Sequence, residues 1–169
     1  MWEEGLEIVR RIQAWDAGET PGPYTLELYP TLRCNMKCVF CDTRFRDGSR
    51  PDTMSPDDLR AIIDDAAEMD VRKVMLLGGG EPLLAEGATA DLMQRIKNAG
   101  MEGILSTNGL LIDERMAETL VASGWDEVQI SIDAADPAVN DYLRGTPGAL
   151  SRVARNLCRL SGIPVAPGP

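Results

Sequence analysis

Histidine is absent from the 169-residue chain. That absence removes the usual general base near neutral pH, the commonest zinc ligand and the usual haem ligand together. Catalysis must then come from thiolates, carboxylates or a bound cofactor. Long apolar runs are also missing, and nothing approaches the ~20 residues that a helix needs to cross a bilayer. The N-terminal stretch MWEEGLEIVRRIQAW is amphipathic and acidic early, unlike a secretory leader, so a cytoplasmic setting is expected. An excess of positive charge is lacking as well. The net charge of −10 argues against a non-specific grip on nucleic acid, which depends on neutralising phosphates. The composition, 44% hydrophobic and 26% charged, is that of an ordinary globular chain. Its length suits one domain that buries roughly two-thirds of its unfolded surface.

Cysteine is scarce but clustered. Of four in the chain, three fall within eight residues, at Cys34, Cys38 and Cys41. Such crowding cannot be a spread disulfide framework, and a cytoplasmic setting disfavours one. It points to a metal or to redox chemistry. Around it the charge balance reverses: Arg33, Lys37, Arg44, Arg46 and Arg50 face only Asp42 and Asp47. A locally basic segment in an acidic chain suits a negative inorganic centre or an anionic substrate, although a solvated loop would look the same.

The hydrophobic pattern alternates between short strands and amphipathic helices. Residues 2–15 read as a helix with Leu6, Val9 and Ile12 toward one side, and 16–23 (DAGETPGP) as a Gly/Pro linker. Thr25–Tyr29 reads as a strand running into the cysteine loop, which extends to about Thr53. Ser55-Pro56-Asp57-Asp58 is a helix start, with a capping hydroxyl, proline at the first position and acids at the positive end. Leu59, Ile62, Ile63 and Ala66 then form an apolar stripe. Lys73–Leu77 is a strand ending in a glycine run, and Leu92, Ile96 and Ala99 mark a helix closed by Gly100. Gly103–Ser106 and Val128–Ile132 are further strands, separated by a helix capped by Asp113 and closed by Gly124. Leu150, Val153, Ala154, Leu157 and Leu160 stripe a last helix, and Ile163-Pro164-Val165 would open a fifth strand.

This alternation predicts a parallel α/β sheet of about four β/α units plus the start of a fifth. A complete eight-unit barrel needs ~250 residues. The expectation is therefore a partial parallel (β/α) barrel, or an open parallel sheet, over 24–169, preceded by an N-terminal helix and linker over 1–23. The unpaired last edge suggests the first part of a longer protein. Ligands bind at the carboxyl ends of such strands. There the chain places its three cysteines, Gly78–Glu81, Thr107 with Asn108, and Ser131 with Asp133.

The spacing Cys34-x3-Cys38-x2-Cys41 lets each thiolate take one iron of a cubane. Three protein ligands leave a fourth iron open, and open sites do chemistry. A structural zinc site would want a fourth ligand. The remaining cysteine, Cys158, lies between Leu157 and Leu160 on a helix stripe and reads as a small buried hydrophobe.

The cysteine spacing, with the aromatic Phe40 before the last cysteine, resembles the signature of the radical S-adenosylmethionine (SAM) superfamily, over about Thr25 to Leu160. Gly78-Gly79-Gly80-Glu81-Pro82-Leu83 is similar to the family's GGEP segment. The resemblance implies that Gly79, Gly80 and Glu81 hold the SAM amino group, as glycines admit close backbone approach and a carboxylate pairs with an ammonium. Ser106-Thr107-Asn108-Gly109 resembles the family's TNG segment, which faces cofactor and substrate, although Asn-Gly is also a common turn. Ser131-Ile132-Asp133 resembles a segment whose serine contacts the SAM carboxylate or ribose. Tyr142-Leu143-Arg144-Gly145 resembles a loop whose arginine pairs with that carboxylate.

The resemblance thus implies a 4Fe–4S cluster and SAM as cofactors, and a flavodoxin or ferredoxin as reductant. It implies reductive SAM cleavage to a 5′-deoxyadenosyl radical that abstracts hydrogen from a small-molecule or peptide substrate. The motif run is most similar to the branch of the molybdenum-cofactor GTP cyclase and the peptide-modifying maturases. Cys41-Asp42-Thr43 also resembles 7-carboxy-7-deazaguanine synthase, where a threonine in this place helps hold magnesium. Two other classes stay open: a catalytically incomplete cluster-binding subunit, and a zinc-stabilised binding module.

Overall fold

The computed structural model describes residues 2–42, 53–85 and 88–161. Thr43, Arg44, Arg46, Asp47, Arg50, Gly162 and the expected fifth strand at 163–165 lie outside the described residues. Eleven segments read from the sequence or newly found order as α1 (Trp2–Asp16), β1 (Thr25–Leu28), α2 (Pro56–Glu68), β2 (Lys73–Leu76), a 3₁₀ turn (Pro82–Leu84), α3 (Ala88–Asn98), β3 (Glu102–Thr107), α4 (Glu114–Ser123), β4 (Glu127–Ile130), α5 (Pro137–Arg144) and α6 (Ala149–Ser161).

The four strands are parallel and stand in the order β1-β2-β3-β4. A doubly wound sheet would reverse its strand order, whereas a barrel adds each strand beside the last. The expected partial (β/α) barrel is therefore the arrangement found. One register row runs Leu28, Leu76, Leu105 and Val128 across the sheet. Against it pack Leu59, Ile63 and Ala66 of α2 with Leu92, Met93 and Ile96 of α3, all buried. Each fully buried Leu or Ile side chain contributes about 1.5–3 kcal/mol, so this layer dominates the fold's stability.

The caps follow the sequence. Ser55 accepts a hydrogen bond from Asp58 N at the start of α2, and Asp113 accepts one from Met116 N at the start of α4. Gly124 closes α4 in the left-handed conformation at φ 67°.

Two expectations are corrected, those for Cys158 and for the Tyr142–Gly145 segment. Leu6, Val9 and Ile12, on one side of α1, are exposed. The helix docks instead through Arg11, which donates to Gly22 O, to Asp70 O and to Asp70 Oδ2 at 2.8–2.9 Å, and through a Glu4–Lys73 ion pair at 2.7 Å. Hydrogen bonds at the buried Arg11, not apolar area, set the helix's orientation. Cys158 is half-buried rather than part of the core. The Tyr142–Gly145 segment is no loop: it is the last turn of α5, capped by Asp136 at one end and by left-handed Gly145 at the other. Asp136-Pro137 repeats the Ser55-Pro56 start signal, with cap and proline in the same places.

Candidate active site

The four strands deliver their C-terminal loops to one cavity of about 330 Å³. Cys34, Cys38, Cys41 and Phe40 line it from the segment after β1, and Gly79, Gly80 and Glu81 from the segment after β2. Thr107 and Asn108 line it after β3, Ser131 after β4, and Arg144 from the end of α5. Asp133 stands behind Arg144, with Oδ2 2.6 Å from the guanidinium Nε. A second groove of about 540 Å³ between α4 and α6 presents Glu114, Glu118 and aliphatic groups. It lacks thiols and faces none of the strand ends.

Sheet pairing continues past the strands and builds the cavity's floor. Leu77 N donates to Leu28 O, Gly80 N to Thr31 O and Glu81 N to Arg33 O. Gly80 is required by this approach, since a Cβ there would overlap the Arg33 carbonyl. Ser131 N donates to Thr107 O in the same way at the other side.

Glu81 is the best-buried polar group of the site, at 1% exposure. Its Oε1 accepts from Thr107 Oγ1 (2.6 Å) and Leu83 N (3.2 Å), and its Oε2 from Asn108 N (2.9 Å). The carboxylate thus brackets the loops after β2 and β3 together. Burial pushes its pKa up, and the three donors oppose that by favouring the charged form. Asn108 in turn donates from Nδ2 to Asn35 Oδ1 at 2.7 Å, tying the wall to the cysteine segment.

The cysteine segment is less enclosed. Cys34 is exposed, Cys38 and Cys41 are half-buried, and Met36 is its buried anchor. Cys34 Sγ nevertheless turns toward Met36 N (3.4 Å) and Asn108 Nδ2 (4.0 Å). Desolvation raises the Cys34 thiol pKa, the Met36 N–H opposes, and Glu81 with the two other cysteines adds to the rise. Bringing the Cys34 thiol to the thiolate form therefore calls for positive charge nearby. Among the described residues no three Cys, Asp or Glu side chains gather at single-ion distances. All three thiols line the same cavity.

Sequence reasoning missed several supporting side chains. Asn140, buried on α5, accepts from Asp133 N at 3.1 Å and so aims the Asp133 loop. Thr31 and Thr53 share a 2.7 Å hydroxyl contact across the neck of the cysteine segment. Met36 and Asn140 carried no local signal beyond an apolar residue inside a cysteine loop and a polar one inside a short helix, respectively.

A parallel partial barrel with a three-cysteine loop after its first strand defines a class of cofactor-dependent enzyme domain. The radical SAM superfamily model matches residues 28–165, and the chain belongs to that superfamily. It is 36% identical over 137 residues to the Fe-coproporphyrin III synthase of Methanosarcina barkeri, covering 80% of this chain and 34% of that protein. It is 35% identical over 128 residues to a probable GTP 3′,8-cyclase of Methanococcus vannielii, covering 75% and 41%. The chain thus spans well under half the length of these curated relatives. Its fold is shared by Streptococcus suis SuiB bound to S-adenosylmethionine, with TM-score 0.74, 22% identity, and 90% of this chain and 34% of that one covered. It is shared too by anSMEcpe with bound AdoMet, with TM-score 0.70, 23% identity, and coverage of 83% and 41%. Among the described residues no helix is long and apolar enough to cross a membrane.

Proposed function

We propose that this domain cleaves SAM reductively at a 4Fe–4S cluster held by Cys34, Cys38 and Cys41. The observation that carries the reading is the convergence of the three thiols, the glycine run and the Thr107–Asn108 wall on one cavity. The donor set fits the cluster. Three thiolates on one cavity can each take a different iron, as cysteines do in such centres, whereas a structural zinc site would want a fourth donor. When bound, the cluster and SAM supply one-electron cleavage of the C5′–S bond, releasing methionine and a 5′-deoxyadenosyl radical that abstracts hydrogen from substrate.

The chain's own residues bind, orient and enclose. Gly79 and Gly80 bring peptide groups to the cavity without side chains in the way, which suits the amino group of SAM. Glu81 holds that backbone in place through its three donors, and its negative charge favours an ammonium nearby. Ser131 offers a hydroxyl to the SAM carboxylate or ribose, and Asn108 a carboxamide beside Cys34. Arg144 and Asp133 complete the rim. No general base is required, in keeping with a chain that has no histidine. The electron would come from a flavodoxin or ferredoxin, and the substrate, a small molecule or a peptide, would have to enter the same cavity.

The test is anaerobic reconstitution with iron and sulfide, then SAM and dithionite, with 5′-deoxyadenosine measured by chromatography. Product that disappears in Cys38→Ala is expected. A cluster-loaded protein that forms none would instead favour a cluster-binding subunit, and a colourless zinc-loaded protein would overturn the reading.

A further inference from the structure

Arg144 reaches the cysteine segment in two ways. Its carbonyl accepts from Lys37 N (3.3 Å), and the adjacent Leu143 carbonyl accepts from Val39 N (2.9 Å), so the end of α5 clamps the peptide on both sides of Cys38. Its side chain then returns over the same loop. The guanidinium stacks on the Phe40 ring at 5.6 Å from the centroid, and Nη1 lies 4.0 Å from Cys38 Sγ. Nε forms a close ion pair with Asp133 at 2.6 Å, although off the direction of a hydrogen bond. The side chain is only 12% exposed, so solvent screens this charge weakly.

We propose that Arg144, oriented by Asp133 and Phe40, raises the reduction potential of the centre held by Cys34, Cys38 and Cys41, in addition to any contact with SAM. The inference rests on the cluster reading above. Reduction adds one negative charge to the centre, and a fixed cation beside a ligating sulfur stabilises that state; charge and hydrogen bonds to sulfur are among the levers on such potentials. Asp133 partly neutralises the guanidinium. The two residues must therefore act with opposite signs, which a purely structural role would not produce.

The experiment is a redox titration of the reconstituted, SAM-free protein, reading the reduced cluster by electron paramagnetic resonance. At a fixed potential, Arg144→Gln should lower the reduced-to-oxidised ratio about tenfold, equivalent to about 59 mV for one electron. Arg144→Lys should restore most of that ratio, and Asp133→Asn should raise it above wild type. If Arg144→Gln takes up no iron, Asp133→Asn decides alone: a higher ratio supports the proposal and an unchanged one overturns it. Equal ratios in wild type and Arg144→Gln overturn it, as do shifts of the same sign in Arg144→Gln and Asp133→Asn. Weaker SAM binding with an unmoved SAM-free potential also overturns it, leaving Arg144 as a partner of the SAM carboxylate. A wild-type chain that assembles no cluster sinks the functional reading itself, a result separate from a cluster whose potential ignores Arg144.

Discussion

On the β2–β3 side of the cavity, Glu81 is buried and takes three hydrogen bonds, Thr107 and Asn108 are buried with it, and backbone pairing runs on past the strands. Across from it, Cys34 is exposed, and its segment leans on Met36 and on two carbonyls at the end of α5. The wall is finished by folding alone, because every buried polar atom in it must find a partner within the chain. The cysteine side is positioned by folding, but its thiols remain open to the cavity with Arg144 beside Cys38. A buried, hydrogen-bonded wall thus faces a more open cysteine segment, which on the proposed reading would hold the metal centre.

The sharpest way to test that division is Cys34→Ala. Iron bound per chain should fall to background, while the apo protein's Tm moves by no more than about 2 °C, since an exposed substitution stays within about 0.5 kcal/mol. A large Tm loss in the apo protein would break the comparison.

Gly145→Ala should come next. The position needs φ 57°, and a Cβ would overlap the Lys37 carbonyl. A cost of about 1–3 kcal/mol is expected from the forced shift, read in urea unfolding, together with weaker iron retention during gel filtration. Stability lost with full iron retention would mean that α5 does not hold the cysteine segment.

Thr107→Val should show the reverse pattern. It leaves Glu81 Oε1 without its hydroxyl donor in a buried place, which costs about 1–3 kcal/mol, yet iron content should match wild type. Loss of iron here would erase the distinction between the two sides.

The smallest effect concerns pH. Burial holds the folded-state pKa of Glu81 above its ordinary value near 4.5. The fold therefore favours the neutral carboxyl, and the stability this contributes is full below the unfolded pKa and lost as pH rises through the folded one. The urea-midpoint difference between wild type and Glu81→Gln should shrink from pH 4.5 to pH 7. A difference that grows over that range would show the three donors outweighing burial.

Much of this was legible in one dimension. Helix starts at Ser55-Pro56 and Asp113, the closing Gly124 and the alternating apolar stripes are local signals, governed by backbone and side chain within a turn. The cysteine spacing and glycine run are local as well. Other features escaped because their causes are distant in sequence. The apolar stripe of α1 gives no sign of how that helix docks, because Arg11 finds its partners in Asp70 and the carbonyls of Gly22 and Pro23 as well as in Glu7 of its own helix, so the charged side turns inward. The start of α5 was readable from Asp136-Pro137, but its eight residues are too few for a clear period, and the resemblance to a loop motif masked it.

The sequence by itself determined the order of the four strands and of five of the helices, the parallel α/β class and the residue types gathered at the strand ends, because periodicity, caps and alternation are short-range properties. Tertiary structure alone decided the partners: that Glu81 brackets two loops, that Arg144 lies between Asp133, Phe40 and Cys38, and that α1 docks by charge. Those pairings span 26 residues for Glu81 with Thr107 and 106 for Arg144 with Cys38. At such separations contact depends on how the whole sheet brings its strand ends together, which no local pattern encodes.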